Sequence, residues 1–263
     1  MSASAILPCI WFFLLGTAMG SFYDLLIDRL PEGKDVIFVR SACGDCGTRL
    51  RWNDLIPVVS FLRLRGKCRY CGAKLSAWYL MSELLVGALF SFAFFRYSRT
   101  ADAAVLLGDL FLWSLLFIVA VMDQKTGMIM DVFPLLIALC GIGFGLWEGR
   151  GILPILLGGA VGLACYGSLY LIARLLLKRE GLGFGDVLLL GALGCFFPWQ
   201  QVILLAFLSA YVSLIFIAVK AVREKKLGGK TEFPLGPSVC IAAFIMRCWG
   251  GELARLITGW ILP

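Results

Sequence analysis

Apolar runs broken by short polar turns set the pattern of this chain. Eight runs, near residues 5–23, 79–95, 103–122, 132–147, 152–177, 187–199, 202–219 and from 236 onward, each predict a membrane-spanning helix. One long polar stretch, residues 24–78, interrupts them and predicts a loop domain outside the lipid. The last run is ambiguous. Gly236 to Met246 is short, and RCWGGELARLITGW reads either as its continuation or as a helix lying in the interface.

Composition agrees with the pattern. Sixty per cent of the 263 residues are hydrophobic and only 16% are charged, with a mean hydropathy of +0.91, well outside the range of soluble domains. The first run lacks the positive leader of a cleaved signal and is long enough to span, so it reads as a retained anchor. The expected fold is an all-α polytopic membrane protein of about eight transmembrane helices with one small loop domain. Its expected parts are a first transmembrane helix (1–23), a cytoplasmic loop (24–78) and a transmembrane segment (79–263).

Charge orients these spans. With the N-terminus outside, segments 24–78, 123–131, 174–186 and 220–235 face the cytoplasm and hold 19 of the 24 Lys and Arg residues, the arrangement that the positive-inside rule selects. The net charge of +7 is therefore a topology signal. No nucleic-acid partner is expected, because the charges are spread over loops and not interleaved with stacking aromatics. Membrane lipid is the expected surrounding.

The chain has no histidine, which excludes Ser/His and Cys/His nucleophiles, zincin-type metal sites and histidine proton relays. Four of the ten cysteines form two CxxC pairs, Cys43 with Cys46 and Cys68 with Cys71, separated by 21 residues. Each pair can aim two sulfurs at one ion, and the glycine after each (Gly47, Gly72) permits the tight turn that follows. Four thiolates suit a structural tetrahedral zinc. Two disulfides are the competing reading, disfavoured in a reducing cytosol. The remaining cysteines, Cys240 among them, read as packing residues.

Most carboxylates fall in solvated loops, and Asp109, near the outer end of its span, reads as able to snorkel. Asp123 and Asp186 stand apart. Asp123 ends the third span and Asp186 begins the sixth, behind the glycines of EGLGFGD, so two helices can bring both carboxylates together at one depth. That arrangement suits acid–base hydrolysis, one carboxylate ionised and the other protonated. Partial charges at the helix ends would assign the ionised role to Asp186, which opens a helix, and the protonated role to Asp123, which closes one. A glycine turn capped by an N-terminal aspartate is the plain structural alternative. The run after Asp186, residues 187–199, spans only about 20 Å as a helix against a core of about 30 Å, so either the bilayer thins there or the turn enters the membrane. Intramembrane acids also mark ion paths, so a proton-coupled transporter is a second functional reading. A zinc-bearing membrane scaffold without chemistry is a third.

In their order, these residues resemble the bacterial type IV prepilin peptidases of the GxGD intramembrane aspartyl protease group. Gly183, Phe184, Gly185 and Asp186 supply GxGD, MDQKTGMIMD supplies Asp123, and GSF, RLP, the two CxxC pairs and a late FPLGP appear in the family's order. The resemblance implies an enzyme of the bacterial inner membrane, its aspartates at the cytoplasmic face. It would cleave the basic leader of type IV prepilins or type II secretion pseudopilins after a glycine. It also implies methylation of the new N-terminus with S-adenosylmethionine in many members, with Glu83 in the region concerned, or else a peptidase without methyltransferase activity. The chain reads GSFYD, with Asp24 where the family's pattern has Asn. Phe233, Pro234, Leu235, Gly236 and Pro237 are expected to border the substrate, since two prolines keep backbone groups free for an extended peptide.

Overall fold

The computed structural model describes residues 3–36, 38–177, 183–224 and 235–261. Among them there is no strand; helices dominate, with two isolated antiparallel bridges, Ala42 with Arg49 and Lys67 with Lys74. The chain divides into two compact units, 1–110 and 111–263.

In the first unit, α1 (Ala3–Arg29) packs along α3 (Ala77–Thr100), with a short helix α2 (Val59–Arg63) in the polar loop between them. Gly16 and Gly20 let the two long helices touch, since a Cβ at Gly16 would lie 2.7 Å from the Val86 carbonyl. At the far end of α3, Arg96 reaches Asp109, on the early part of α4 (Ala103–Thr126), at 2.6 Å. Asp109 is fully buried, so the expectation that it snorkels is corrected. In an apolar span a paired charge is cheaper to keep inside than a lone one, and Arg96 is the pair.

The second unit contains the rest of α4, α5 (Val132–Trp147), α6 (Ile152–Ile172, continued by a π-type turn to Leu177), α7 (Phe184–Gly194), α8 (Trp199–Glu224) and α9 (Gly236–Ile261). Helix α7 is its centre. Eight of its eleven residues are buried, as expected of a helix apolar on every side. It packs on α5 and, most extensively, on α6. Gly158 and Gly162 of α6 make that contact possible: a Cβ at either would run into the carbonyls of Gly194 and Leu190, the close small-residue approach that lets helices pack in lipid. Trp113 of α4 lies 4.9 Å from Phe244 of α9, closing another side.

The eight predicted runs match eight helices, and among the described residues five of these are long and apolar enough to cross a membrane: those carrying the first, second, third, fifth and seventh runs. Helices α5 and α7 are shorter, and α9 is not among the five. Several helices also run past the apolar stretch that predicted them. Helix α1 continues to Arg29 and α4 to Thr126, because a helix already formed in lipid loses nothing by extending a turn or two into water. The ambiguity at the C-terminus is resolved. RCWGGELARLITGW continues α9 without a break as far as Ile261.

Candidate functional site

The polar loop builds its cysteine cluster from two similar turns. In each, an antiparallel bridge flanks the CxxC pair, the first cysteine's N–H donates across the turn (Cys43 to Thr48 O, 3.0 Å; Cys68 to Ala73 O, 2.8 Å), and the following glycine's N–H returns to it. Gly47 and Gly72 take φ of 67° and 75°, the left-handed conformation that glycine adopts without strain. The four sulfurs lie within 4.8 Å of one another, and Cys43 Sγ is 3.9 Å from Cys71 Sγ. Sulfurs about 2.3 Å from one tetrahedral ion would stand about 3.8 Å apart. They converge on a point and do not pair off two by two.

Electrostatics point the same way. The Thr48 hydroxyl, 3.3 Å from Cys46 Sγ, stabilises the thiolate and draws that thiol down to about 6. Backbone N–H groups of Cys71 and Tyr70 lower Cys68 as well. Cys71 keeps its proton: the Ala73 backbone opposes this, but burial and the neighbouring sulfurs push it up to about 12. Bringing all four sulfurs to the thiolate form at this spacing takes a cation. Below the cluster, Asp54 ties the loop together, accepting from the Arg51 N–H and the Tyr70 hydroxyl, each at 3.2 Å, with Arg69 at 2.6 Å.

Between this loop and the ends of α1 and α3 lies a cavity of about 480 Å³. Four carboxylates (Asp24, Asp28, Asp54 and Glu83) and three basic side chains (Arg29, Lys67 and Arg69) line it, beside Phe22, Phe61 and Tyr79. Asp24 is buried and accepts the Ser82 hydroxyl; Asp28 accepts the Tyr79 hydroxyl at 3.0 Å. Glu83 also has a structural duty. Its Oε2 accepts the Val58 N–H at 2.6 Å and so holds a β-branched residue at φ 61°, a conformation such residues resist.

The second unit assembles Asp123 and Asp186. Gly127, at φ 67°, caps α4 by donating to the Asp123 carbonyl at 2.8 Å, which leaves Asp123 in the helix's last full turn. Asp186 is the third residue of α7, and its carboxylate turns back to the backbone of the N-cap residue Gly183, half of a capping box. Both carboxylates are buried, 5% and 7% exposed, and close enough for the charge of one to act on the other. Among the described residues Asp186 Oδ1 has no hydrogen-bond partner.

The GxGD glycines make room. A Cβ at Gly183 would crowd Asp186 Oδ2 at 3.1 Å, and one at Gly185 would lie 3.0 Å from Ile129 Cβ, in the turn that follows Asp123. Phe184 is 58% exposed, with its ring edge toward Tyr170.

Three contacts at this site have no counterpart in the sequence reading. Gly236, the first residue of α9, donates its N–H to Asp123 Oδ2 at 3.0 Å. Both carboxylates therefore meet a helix N-terminus, and the helix-end contrast expected between them does not hold. Cys240, one turn on and buried as a packing residue should be, lies within electrostatic reach of both carboxylates. Tyr166 of α6 lies near Asp186, its hydroxyl 2.5 Å from Ser209 Oγ of α8. Nothing in the sequence singles out Tyr166 from Tyr170, or Ser209 from Ser213, in these two apolar runs.

Of the five residues expected to border substrate, Gly236 and Pro237 open α9 and Leu235 precedes it, while Phe233 and Pro234 lie outside the described residues. Proline suits a helix's first turn. The Gly236 N–H is committed to Asp123, not left for a peptide strand.

Fold and site together define a multi-pass helical membrane protein with two facing carboxylates at one end of its bundle and a separate four-cysteine loop. The description Bacterial Peptidase A24 N-terminal domain matches residues 14–97, and Type IV leader peptidase family matches residues 110–218. Proteins named prepilin leader peptidase/N-methyltransferase are similar to the chain. That of Klebsiella pneumoniae is 38% identical over 76% of this chain and 92% of its own length. That of Pseudomonas putida is 31% identical over 91% and 90%, and that of Aeromonas hydrophila 31% over 95% and 94%. No solved structure matches. The chain belongs to the type IV leader peptidase family, a family of peptidases.

Proposed function

We propose that Asp123 and Asp186 form the catalytic dyad of an aspartyl endopeptidase that removes the basic leader of type IV prepilins or type II secretion pseudopilins, after a glycine, at the cytoplasmic face of the bacterial inner membrane. The observation that carries this reading is the burial of two carboxylates within reach of each other at helix ends, one with an oxygen that no group among the described residues satisfies. Like charges so close share a proton. The ionised carboxylate takes a proton from water as the water oxygen attacks the scissile carbonyl, and the protonated one donates to the carbonyl oxygen. Collapse of the resulting gem-diol breaks the C–N bond, and a proton passes to the leaving amine. Gly183 and Gly185 keep the approach narrow, and the α9 N-terminus fixes Asp123.

Segment 24–78 acts as a loop domain between the first transmembrane segment (1–23) and the peptidase segment (79–263). The cysteine cluster fits a zinc ion held by Cys43, Cys46, Cys68 and Cys71. With four protein sulfurs no position is open for water, so the metal orders the loop and takes no part in hydrolysis.

The cavity's mixed lining of four carboxylates and three basic side chains fits a ligand that carries both signs of charge, and the names of the relatives above include methyltransferase activity. S-adenosylmethionine, bound there, supplies an electrophilic methyl group. Asp24, Asp28 and Glu83 are the residues that would face its positive charges, and Phe22 and Phe61 the ones that would cover its base. The departure at Asp24 favours a second reading, a peptidase alone: an asparagine would donate as well as accept at this buried position, and an aspartate only accepts.

The test uses purified protein in detergent with a prepilin peptide and S-adenosylmethionine, with no ion gradient. Mass analysis should show a cut after glycine, and this activity should vanish in Asp123→Asn and in Asp186→Asn. Cleavage by either variant would falsify the dyad. A product heavier by one methyl group selects the bifunctional reading, and an unmodified amine selects the peptidase alone.

A further inference from the structure

The end of the second unit away from Asp123 and Asp186 holds a recess that proteolysis does not use. It lies where the two short helices stop. Helix α7 rises about 16 Å from its first residue and α5 about 24 Å, at 1.5 Å per residue, against about 30 Å for a hydrocarbon core. Between the α5–α6 turn, the α7–α8 turn and the middle of α9 is a cavity of about 250 Å³. Its floor is apolar, made by the buried rings of Phe196 and Phe197 and the side chain of Met246.

Its rim is charged. Arg150 pairs with Glu148 at 3.1 Å and reaches the Cys195 carbonyl at 3.5 Å; Arg247 stands 4.0 Å from the same glutamate. Two guanidinium groups and one carboxylate leave the cavity net positive. Around it, Trp147 ends α5, Trp199 opens α8 and Trp249 lies on α9, all substantially exposed. Exposed tryptophans close in sequence to the residues of such a recess suit the headgroup layer of a bilayer. A bundle whose helices stop short draws that layer inward.

We propose that this recess binds the phosphate headgroup of an anionic phospholipid, seated below the average headgroup level at the ends of α5 and α7. The phosphodiester accepts from Arg150 and Arg247, in the forked geometry that guanidinium groups offer phosphate. The exposed side chains of Leu146 and Leu153 offer an apolar surface to the acyl chains. The lipid fills the gap that an 11-residue helix leaves in the membrane, and so supports the frame on which Asp186 is mounted.

The full-length protein, purified in mild detergent, would be titrated with phosphatidylglycerol and with phosphatidylcholine of the same acyl chains, and bound lipid counted by native mass spectrometry. The expected result is one tightly held phosphatidylglycerol per chain, preferred at least tenfold. The Arg150→Gln, Arg247→Gln double variant should lose the preference. Equal retention of both lipids, or an unchanged preference in the double variant, overturns the proposal. So does displacement of the lipid by millimolar inorganic phosphate, which would mark a site for free anions. Should the double variant fail to fold, phosphatidylglycerol with a photoreactive headgroup is cross-linked to the unaltered protein. Adducts within residues 146–153, 196–201 or 246–251 support the site, and adducts confined elsewhere overturn it.

Discussion

Gly236 hands its backbone N–H to the carboxylate of Asp123 across 113 positions of sequence, at 3.0 Å, and a Cβ at Gly236 would stand 2.5 Å from the same oxygen. The start of α9 therefore both supports and limits where this carboxylate can be.

That contact predicts the effect of a single methyl group. In Gly236→Ala the new Cβ must push Asp123 aside, and a displacement of about 1 Å at a reacting group costs on the order of 100-fold in rate. Cleavage of a prepilin peptide should fall by about that factor, while the helical circular dichroism and detergent stability of the protein stay near those of the wild type. Full activity in this variant would show that Asp123 does not need its α9 contact.

Asp186 should show the opposite sign for stability and activity. Its Oδ1 is buried without a partner among the described residues, so the folded protein carries the cost of a carboxylate that water no longer solvates. Asp186→Asn removes a charge that repels Asp123. Thermal unfolding in detergent should occur at an equal or higher temperature, even as cleavage is lost by at least about 100-fold, the lower range for general acid–base groups. A strongly destabilised variant would mean that the carboxylate is structural.

The Arg96 and Asp109 pair should matter to insertion and not to chemistry. Arg96→Ala removes the counter-charge of a fully buried carboxylate, which costs about 3–5 kcal/mol, whereas the Arg96→Met, Asp109→Leu double variant removes both charges and should recover most of that loss. Unfolding titrations in mixed micelles distinguish the two. A double variant as unstable as the single would mean that the pair is not what holds this end of the unit.

Asp54 makes the cysteine loop sensitive to acid. Burial opposes ionisation, but the Arg51 N–H, the Tyr70 hydroxyl and the Arg69 charge outweigh it and hold the carboxyl below its ordinary value. A depressed folded value means stability that is present above the unfolded value, about 3.9, and lost as pH falls through the folded one. Asp54→Asn should therefore destabilise the loop at neutral pH, with the difference from wild type shrinking below about pH 4. Fluorescence of the exposed Trp52 nearby follows the transition. A difference that stays constant down to strongly acidic pH would exclude this linkage.

Zinc removal should act on the same loop. Chelation, or Cys43→Ser, should raise the loop's protease sensitivity and leave the intrinsic cleavage rate unchanged in the short term; metal analysis should find about one zinc per chain. Immediate loss of hydrolysis on chelation would contradict a purely structural ion.

What was legible in the sequence was local. The cysteine turns could be read because each is closed by hydrogen bonds within six residues, with a glycine where φ must be positive. The apolar runs could be read because transfer into lipid is a property of each segment taken alone, and the placement of Asp123 and Asp186 at same-side helix ends followed from counting spans. Which groups touch was decided by tertiary packing. The Gly236 contact to Asp123, the Glu83 hold on Val58, the ion pair that keeps Asp109 inside and the close seat of α7 on Gly158 and Gly162 all join segments distant in sequence or held in register by their neighbours. Hydropathy scores how oily a helix is, but not which face it turns inward or how near a neighbour can come. Those follow from side-chain volume and from the need of every buried polar group to find a partner, conditions met only once all the helices are in place.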